Sequence, residues 1–170
     1  MGKNVILIGM PGTGKSTVGR VLAQRLGYAF IDADDLIRQK AGQGLADILR
    51  TRGTEALLAV EETVGKTLCV RDTVIATGGS MVLSEAAMRH LREDGVVVWL
   101  ETPLSQLEQR LPEHLEDRGI AAPPGSTVEE LYRSREPLYA RYADLIIPSR
   151  PGGDTTADQV EEVMRSIGAL

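Results

Sequence analysis

The residues Gly9-Met10-Pro11-Gly12-Thr13-Gly14-Lys15-Ser16 set three glycines, a lysine and a serine at the spacing G-x-x-x-x-G-K-[ST]. That spacing suits a polyphosphate. Glycines let backbone N–H groups close round phosphate oxygens without a Cβ in the way, and the first N–H groups of a following helix add to the anion site. The lysine then reaches the β- and γ-phosphates, and the serine hydroxyl can ligate Mg²⁺. Both flanks fit, with the apolar run Val5-Ile6-Leu7-Ile8 before the loop and a helical-period segment after it. A turn that merely joined strand to helix would need neither Lys15 nor Ser16. Gly12, Thr13, Gly14, Lys15, Ser16 and Thr17 are therefore expected to hold ATP with its magnesium ion.

Asp32-Ala33-Asp34-Asp35 stands where a second strand ends. Ligands of open α/β sheets bind outside the carboxyl ends of the strands, which puts Asp32 and Asp34 beside the phosphate loop. One carboxylate could hold magnesium or its waters, and another could orient or deprotonate an acceptor hydroxyl. Asp35 is read as a helix cap. Thr77-Gly78-Gly79-Ser80 closes a third strand, and its glycine pair admits close approach of a ligand to the backbone. Arg110, Arg118, Arg133, Arg135 and Arg141 are candidate electrostatic clamps. Arg118 stands out because it falls in a segment able to close over a nucleotide. Gly42, Gly44 and Gly53 read as helix punctuation, His90 and His114 as surface residues, and Met81, Met88 and Trp99 as packing.

These groups need a scaffold. Short β-branched runs alternate with segments of helical period, the pattern of βα units around a parallel sheet buried on both faces. Strands are predicted at Val5–Gly9, Ala29–Asp32, Thr73–Thr77, Val96–Glu101 and Asp144–Pro148. Helices are predicted at Lys15–Leu26, Asp35–Ala41, Leu45–Arg52, Glu55–Val70, Glu85–Glu93, Pro103–Leu111, Val128–Tyr142 and Ala157–Ile167, with Thr102 and Pro103 as a cap and first helical residue. Residues 112–127 show no periodic pattern and read as a long loop, a candidate lid. A second polar turn is expected at 149–155.

The length of 170 residues suits one domain with one substantial core. Aromatics are only 4% of the residues, so that core must be built from Val, Ile, Leu and Ala. A net charge of −5 offers no general attraction to a nucleic-acid backbone, and none is expected as a partner. Cys69 is the single cysteine, which rules out an intrachain disulfide and a cysteine metal site and suggests a reducing compartment. No apolar run reaches the roughly 18 residues that span a bilayer. A cytoplasmic, monomeric protein without a membrane partner is expected.

In this order, the phosphate loop, Asp32 and Asp34, Ala46-Asp47-Ile48-Leu49 after Gly44, Thr73-Val74-Ile75-Ala76-Thr77-Gly78-Gly79 and Arg135-Glu136-Pro137-Leu138-Tyr139 make the chain resemble the shikimate kinase family over nearly its whole length. The resemblance implies the three-layer P-loop NTPase fold of the nucleoside-monophosphate-kinase type. That is an α/β fold with a five-stranded parallel sheet in the order 2-3-1-4-5, helices on both faces, a substrate-binding helical segment at about 34–65 and a lid at about 112–127. It implies transfer of a phosphoryl group from ATP to a hydroxyl of shikimate, a step of aromatic amino acid biosynthesis. Asp34 would then serve as base or orienter of the acceptor hydroxyl, and Asp32 would support the magnesium shell. Gly78, Gly79 and Ser80 would contact the acceptor, and Arg135 would bind its carboxylate. Arg110 would pack on adenine and Arg118 would meet the phosphates of ATP.

Three departures fall at the acceptor and lid. The Phe-Arg-Arg-x-Glu stretch that carries the family's second carboxylate-binding arginine lies within Ala56-Leu57-Leu58-Ala59-Val60-Glu61 here, and the arginine is absent. Ser80 replaces a third glycine, and Arg118-Gly119-Ile120-Ala121 replaces the lid's Arg-Pro-Leu-Leu. Arg52 and Arg133 are the candidates to supply the missing charge. Otherwise Leu57 and Leu58 would face a less anionic acceptor, such as another hydroxy acid, a polyol or a sugar acid. A nucleotide-binding module without transfer activity is a further alternative. A nucleoside-monophosphate kinase would need several arginines around its acceptor, and a GTPase switch would show an Asn-Lys-x-Asp segment, which the chain lacks.

Overall fold

The computed structural model describes residues 2–149 and 156–168. Its strands are β1 (Asn4–Ile8), β2 (Ala29–Asp32), β3 (Thr73–Ala76), β4 (Gly95–Glu101) and β5 (Leu145–Pro148). The helices are α1 (Lys15–Leu26), α2 (Ala33–Ala41), α3 (Leu45–Thr67), α4 (Glu85–Glu93), α5 (Leu104–Arg110), α6 (Val128–Tyr142) and α7 (Thr156–Gly168), with 3₁₀ turns at Met81–Leu83 and Leu115–Arg118. The strands form one sheet in the order β2-β3-β1-β4-β5. Every pairing is parallel, with Val5 opposite both Val74 and Val96. The fold and strand order are those expected.

Successive side chains of a strand point to opposite faces, and the sheet uses both. Ile6, Ile8, Ile75, Val97 and Trp99 pack on one face with Met81, Met88, Leu107 and Tyr139. Val5, Leu7, Val74, Val98 and Leu100 pack on the other with Leu22 of α1 and Val160 and Val163 of α7. A third cluster, comprising Ile37, Ile48, Leu57, Val64 and Ala121, joins α2 and α3 to the segment before α6. Val, Leu, Ile and Ala make up the buried residues of the second face, as the low aromatic content leads one to expect, whereas the first face departs from that expectation by also burying Met10, Met81, Met88, Trp99, Tyr139 and Tyr142.

Helix ends follow local chemistry. α1 stops at Gly27 in the left-handed region, with φ 70°. Ser84 caps α4 by accepting from the Ala87 N–H at 3.1 Å. Thr127 and Glu130 form a reciprocal capping box on α6. Two expected caps are corrected. Asp32, not Asp35, caps α2, so the helix begins at Ala33; Asp35 pairs with Arg38 at 2.6 Å on the surface. Thr102 does not cap α5, because Pro103 occupies the N-cap position and leaves the threonine one residue too early. The Thr102 Oγ1 is buried without a partner among the described residues.

The helices expected at Leu45–Arg52 and Glu55–Val70 form one long element broken at Gly53 (φ 85°, ψ 173°), and it ends at Thr67. β1 starts one residue early because Asn4 already pairs with Gly95 of β4, and its side chain bonds the Val70 carbonyl and the Thr73 N–H. Residues 112–127 are less loop-like than expected, with a 3₁₀ turn and buried Leu115, Ile120 and Ala121. Of the expected polar turn at 149–155, Ser149 donates its N–H to the Glu101 carbonyl, and 150–155 lie outside the described residues.

Leu22 is fully buried between the sheet and α7. Leu22→Ala is expected to cost about 2–5 kcal/mol. Urea unfolding followed by circular dichroism should show a lower midpoint with an unchanged slope.

Candidate active site

The strands β1, β2 and β3 end together, and the segments that leave them enclose a cleft of about 390 Å³, within the range of small-molecule sites. Gly14 is the N-cap of α1 at φ 89°, a left-handed conformation that favours glycine. This turn makes Lys15 the first helical residue and folds its side chain back along the loop. Its Nζ donates to the carbonyl oxygens of Gly9 and Met10, each at 2.8 Å. Two of the three ammonium donors are so engaged. Burial lowers the pKa of Lys15 to about 8; the charge of Asp34 opposes this and that of Arg135 adds to it. Gly12, Gly14, Lys15, Ser16 and Thr17 line the cleft. Thr13 does not, because both its hydroxyl and its N–H turn inward to the Met10 carbonyl, at 3.0 and 3.4 Å.

Asp32 joins two elements. Its Oδ2 accepts from Ser16 Oγ at 2.5 Å, and its Oδ1 accepts from the Asp34 N–H at 3.0 Å. The pair presents hard oxygen donors side by side, which fits Mg²⁺, a cation that draws most of its ligands from phosphates and water. No group of three or more His, Cys, Asp or Glu able to form an all-protein metal cage occurs among the described residues. Asp34 leans into the cleft with its Oδ1 buried and without a hydrogen-bond partner among the described residues. Burial, followed by the neighbouring Asp32 charge, holds its pKa above the ordinary carboxylate range, against the pull of Lys15.

Gly78 and Gly79 are required by close approach. A Cβ on Gly78 would fall on Glu61 Oε1 and lie 3.2 Å from Asp34 Oδ1; one on Gly79 would lie 2.9 Å from an Arg135 guanidinium nitrogen. The Gly79 carbonyl accepts from Tyr139 Oη at 2.8 Å, and Tyr139 packs its ring 5.9 Å from that of Trp99. Burial pushes the Tyr139 phenol up to about 12, which keeps it a donor. Arg135, one helical turn before Tyr139, is 2% exposed and donates to the Ala121 carbonyl.

Arg110 and Arg118 line the outer part of the cleft. Arg110 donates to the Gly12 carbonyl at 3.2 Å and Arg118 to the Arg110 carbonyl at 3.5 Å. Arg133 and Arg141 are surface residues, paired with Glu129 and Glu85. Arg133 and Arg52 are both exposed and outside the cleft lining, so neither replaces the missing arginine there. Leu57 and Leu58 do not face the cleft either, because both pack into the cluster around Ile37 and Ile48.

The sequence model of the shikimate kinase family matches residues 11–167. The chain belongs to the shikimate kinase family. It is 32% identical over 166 residues to the shikimate kinase of Persephonella marina, covering 97% of this chain and 99% of that one. It is 39% identical over 172 residues to that of Ruegeria pomeroyi, covering 99% and 85%. The solved structure of the Acinetobacter baumannii shikimate kinase in complex with shikimate matches with a TM-score of 0.85 at 28% identity, over 99% of this chain and 94% of that one. Shikimate kinases are phosphotransferases that act on a hydroxyl group with ATP as donor.

Against that family pattern, sequence reasoning missed Glu61. Leu57, Glu61 and Val64 share one face of α3 at i, i+4 and i+7, so a carboxylate sits on an apolar stripe. That placement was the available signal. Glu61 is 3% exposed and accepts from Ser80 Oγ. Burial raises its pKa to about 7; the Ser80 hydroxyl lowers it, Asp34 raises it further, and Arg135 and Lys15 oppose that rise.

A pKa raised from 4.5 to about 7 means that the folded chain holds a proton which the unfolded chain has lost between those values. The associated stability is fully present below pH 4.5 and gone above about 7. Relative to Glu61→Gln, the wild type should therefore lose up to about 3 kcal/mol across that window. Chemical denaturation of both proteins at pH 5 and pH 7.5 measures the difference, and parallel stabilities would contradict the burial.

Proposed function

We propose that the chain transfers the γ-phosphoryl group of ATP to a hydroxyl of shikimate, giving shikimate 3-phosphate and ADP. The observation that carries this reading is the juxtaposition, across Gly78 and Gly79, of the Asp34 Oδ1, without a partner among the described residues, and the buried Arg135 guanidinium. A hydroxy acid can satisfy both at once, its hydroxyl donating to Asp34 and its carboxylate accepting from Arg135. Membership of the shikimate kinase family and the shikimate held by the Acinetobacter baumannii enzyme support the same acceptor.

In this reading the backbone of Gly12 and Gly14, the first turn of α1 with Ser16 and Thr17, and the Lys15 ammonium hold the triphosphate, while Thr13 braces the loop from within. Ser16 Oγ and Asp32 would hold Mg²⁺, which when bound neutralises charge on the phosphate oxygens. Asp34 accepts the proton of the acceptor hydroxyl as its oxygen bonds to the γ-phosphorus. The bond from that phosphorus to the bridging oxygen breaks, and ADP leaves with the electron pair. Lys15 and Arg118 meet the charge spread over the transferring group. Arg110 packs on the adenine, and the Gly78-Gly79-Ser80 turn and Arg135 fix the acceptor. Residues 112–127 act as a lid that brings Arg118 inward, and residues 34–65 form the acceptor wall.

A coupled ADP-release assay across shikimate, quinate, sugar acids and polyols is expected to give turnover with shikimate well above the others. No turnover with shikimate would refute the assignment. Asp34→Asn should lower kcat by about 10²–10⁴-fold while ATP still binds. Arg135→Ala should raise the KM for shikimate by about tenfold to a hundredfold, the loss of a charge-assisted hydrogen bond together with an unpaired carboxylate. Lys15→Ala should remove turnover, and unchanged turnover would contradict the role given to the phosphate loop.

A further inference from the structure

The cleft contains a third carboxyl group that the transfer step does not use. Glu61 reaches it from α3, with Oε2 on Ser80 Oγ and Oε1 in the space that a Cβ on Gly78 would take. Ser80 Oγ is its hydrogen-bond partner among the described residues, and the charged groups acting on it are Asp34, Arg135 and Lys15. The 3₁₀ turn Met81–Leu83 beside it adds no charged side chain. Nor does the stretch Ile120–Ala121, which places a carbonyl on Arg135.

Arg135 is the one arginine buried among the described residues. An acceptor carboxylate on its guanidinium adds a negative charge to a region that already contains Asp34 and Glu61. Like charges gathered in a low-dielectric site cannot all stay ionised. A further fixed cation beside Arg135 and Lys15 would relieve the crowding, but Leu57 and Leu58 pack away from the cleft and Arg52 and Arg133 lie outside it. Electrostatically, removing one anion serves as well as adding one cation. Asp34 must remain ionised to receive the hydroxyl proton, which leaves Glu61 to give way.

We propose that Glu61, held by Ser80, determines how tightly the anionic acceptor binds, by carrying a proton whenever the acceptor's carboxylate lies against Arg135. Acceptor binding then takes up a proton, and by linkage the affinity falls where Glu61 is ionised. Glu61 is a positioning residue and touches no reacting atom. The inference rests on the assignment of shikimate as acceptor. Because Glu61 titrates near neutrality, the effect falls within the physiological range.

The test uses the full chain with shikimate and MgATP between pH 6 and 8.5, with kcat and KM separated. Titration calorimetry at pH 7.5, in phosphate and in Tris, counts the protons taken up with shikimate. In the wild type the KM for shikimate should rise with pH, by at most about tenfold per pH unit, and calorimetry should show net proton uptake. Glu61→Gln, which fixes an uncharged side chain, should flatten that rise and abolish the uptake. Ser80→Ala removes the hydroxyl that stabilises the carboxylate, so the rise should move to higher pH. If Glu61→Gln keeps the wild-type slope and proton count, the proposal is overturned while the acceptor assignment stands. If Glu61→Gln does not fold, an unmoved profile in Ser80→Ala overturns it instead. If the wild type neither turns over nor binds shikimate at any pH, the acceptor assignment falls and the proposal with it.

Discussion

Charge balance in a buried space is the constraint from which the rest of this site follows. Lys15 and Arg135 are both buried, and no single carboxylate neutralises either of them at contact distance among the described residues. The loop carbonyls of Gly9 and Met10 solvate the ammonium, and the Ala121 carbonyl solvates the guanidinium. Asp32, Asp34 and Glu61 supply the opposing charge through space. Such a cluster costs stability in isolation, because desolvating an ion is expensive unless its partners are close. It is what a site needs if its ligands bring a triphosphate at one end and a carboxylate at the other.

The parallel sheet makes this arrangement possible. β1 is central, with β3 and β4 on either side, and its two faces are sealed by separate apolar clusters. Strands fixed in this way end at one edge, so the loop after β1, the carboxylates after β2 and the glycine turn after β3 meet without further design. The Ser16–Asp32 hydrogen bond and the Thr77 hydroxyl on the Leu7 carbonyl, at 2.9 Å, tie these three segments together. Tyr139 does the same for α6, since its hydroxyl holds the Gly79 carbonyl while Arg135 on the same helix enters the cleft. One helix face thus sets the glycine turn and the buried Arg135 guanidinium together.

Much of the scaffold and of the phosphate end was legible in the sequence because short-range rules govern both. Ala29–Asp32, α1, α4 and α6 fall where the periodicity places them, and the phosphate loop is a contiguous motif. The misplacements have local causes. Thr102 misses its cap because a proline intervenes, and α2 starts early because Asp32 has the free oxygen and the extended backbone that a cap requires. Thr13 fits the motif's spacing, yet its side chain serves the loop and not the cleft.

The acceptor end was less legible because its groups come from four separate segments, and their meaning depends on what lies opposite. Leu57 and Leu58 read as a changed substrate wall when compared with a family pattern, but packing sends both into the cluster with Ile37 and Ile48. Glu61 was given no role, although the apolar neighbours on its face already implied burial. Ser80 read as a departure from a glycine turn, yet its hydroxyl is the partner that Glu61 uses. The two departures therefore belong together. A glycine at position 80 would offer the buried carboxyl no side-chain partner. A cation in the 57–58 stretch could have supplied Glu61 with an ion pair, had it reached the cleft. Serine in one place and leucine in the other leave a carboxyl held by a neutral hydroxyl, and such a group can change its protonation state when a ligand changes the local field.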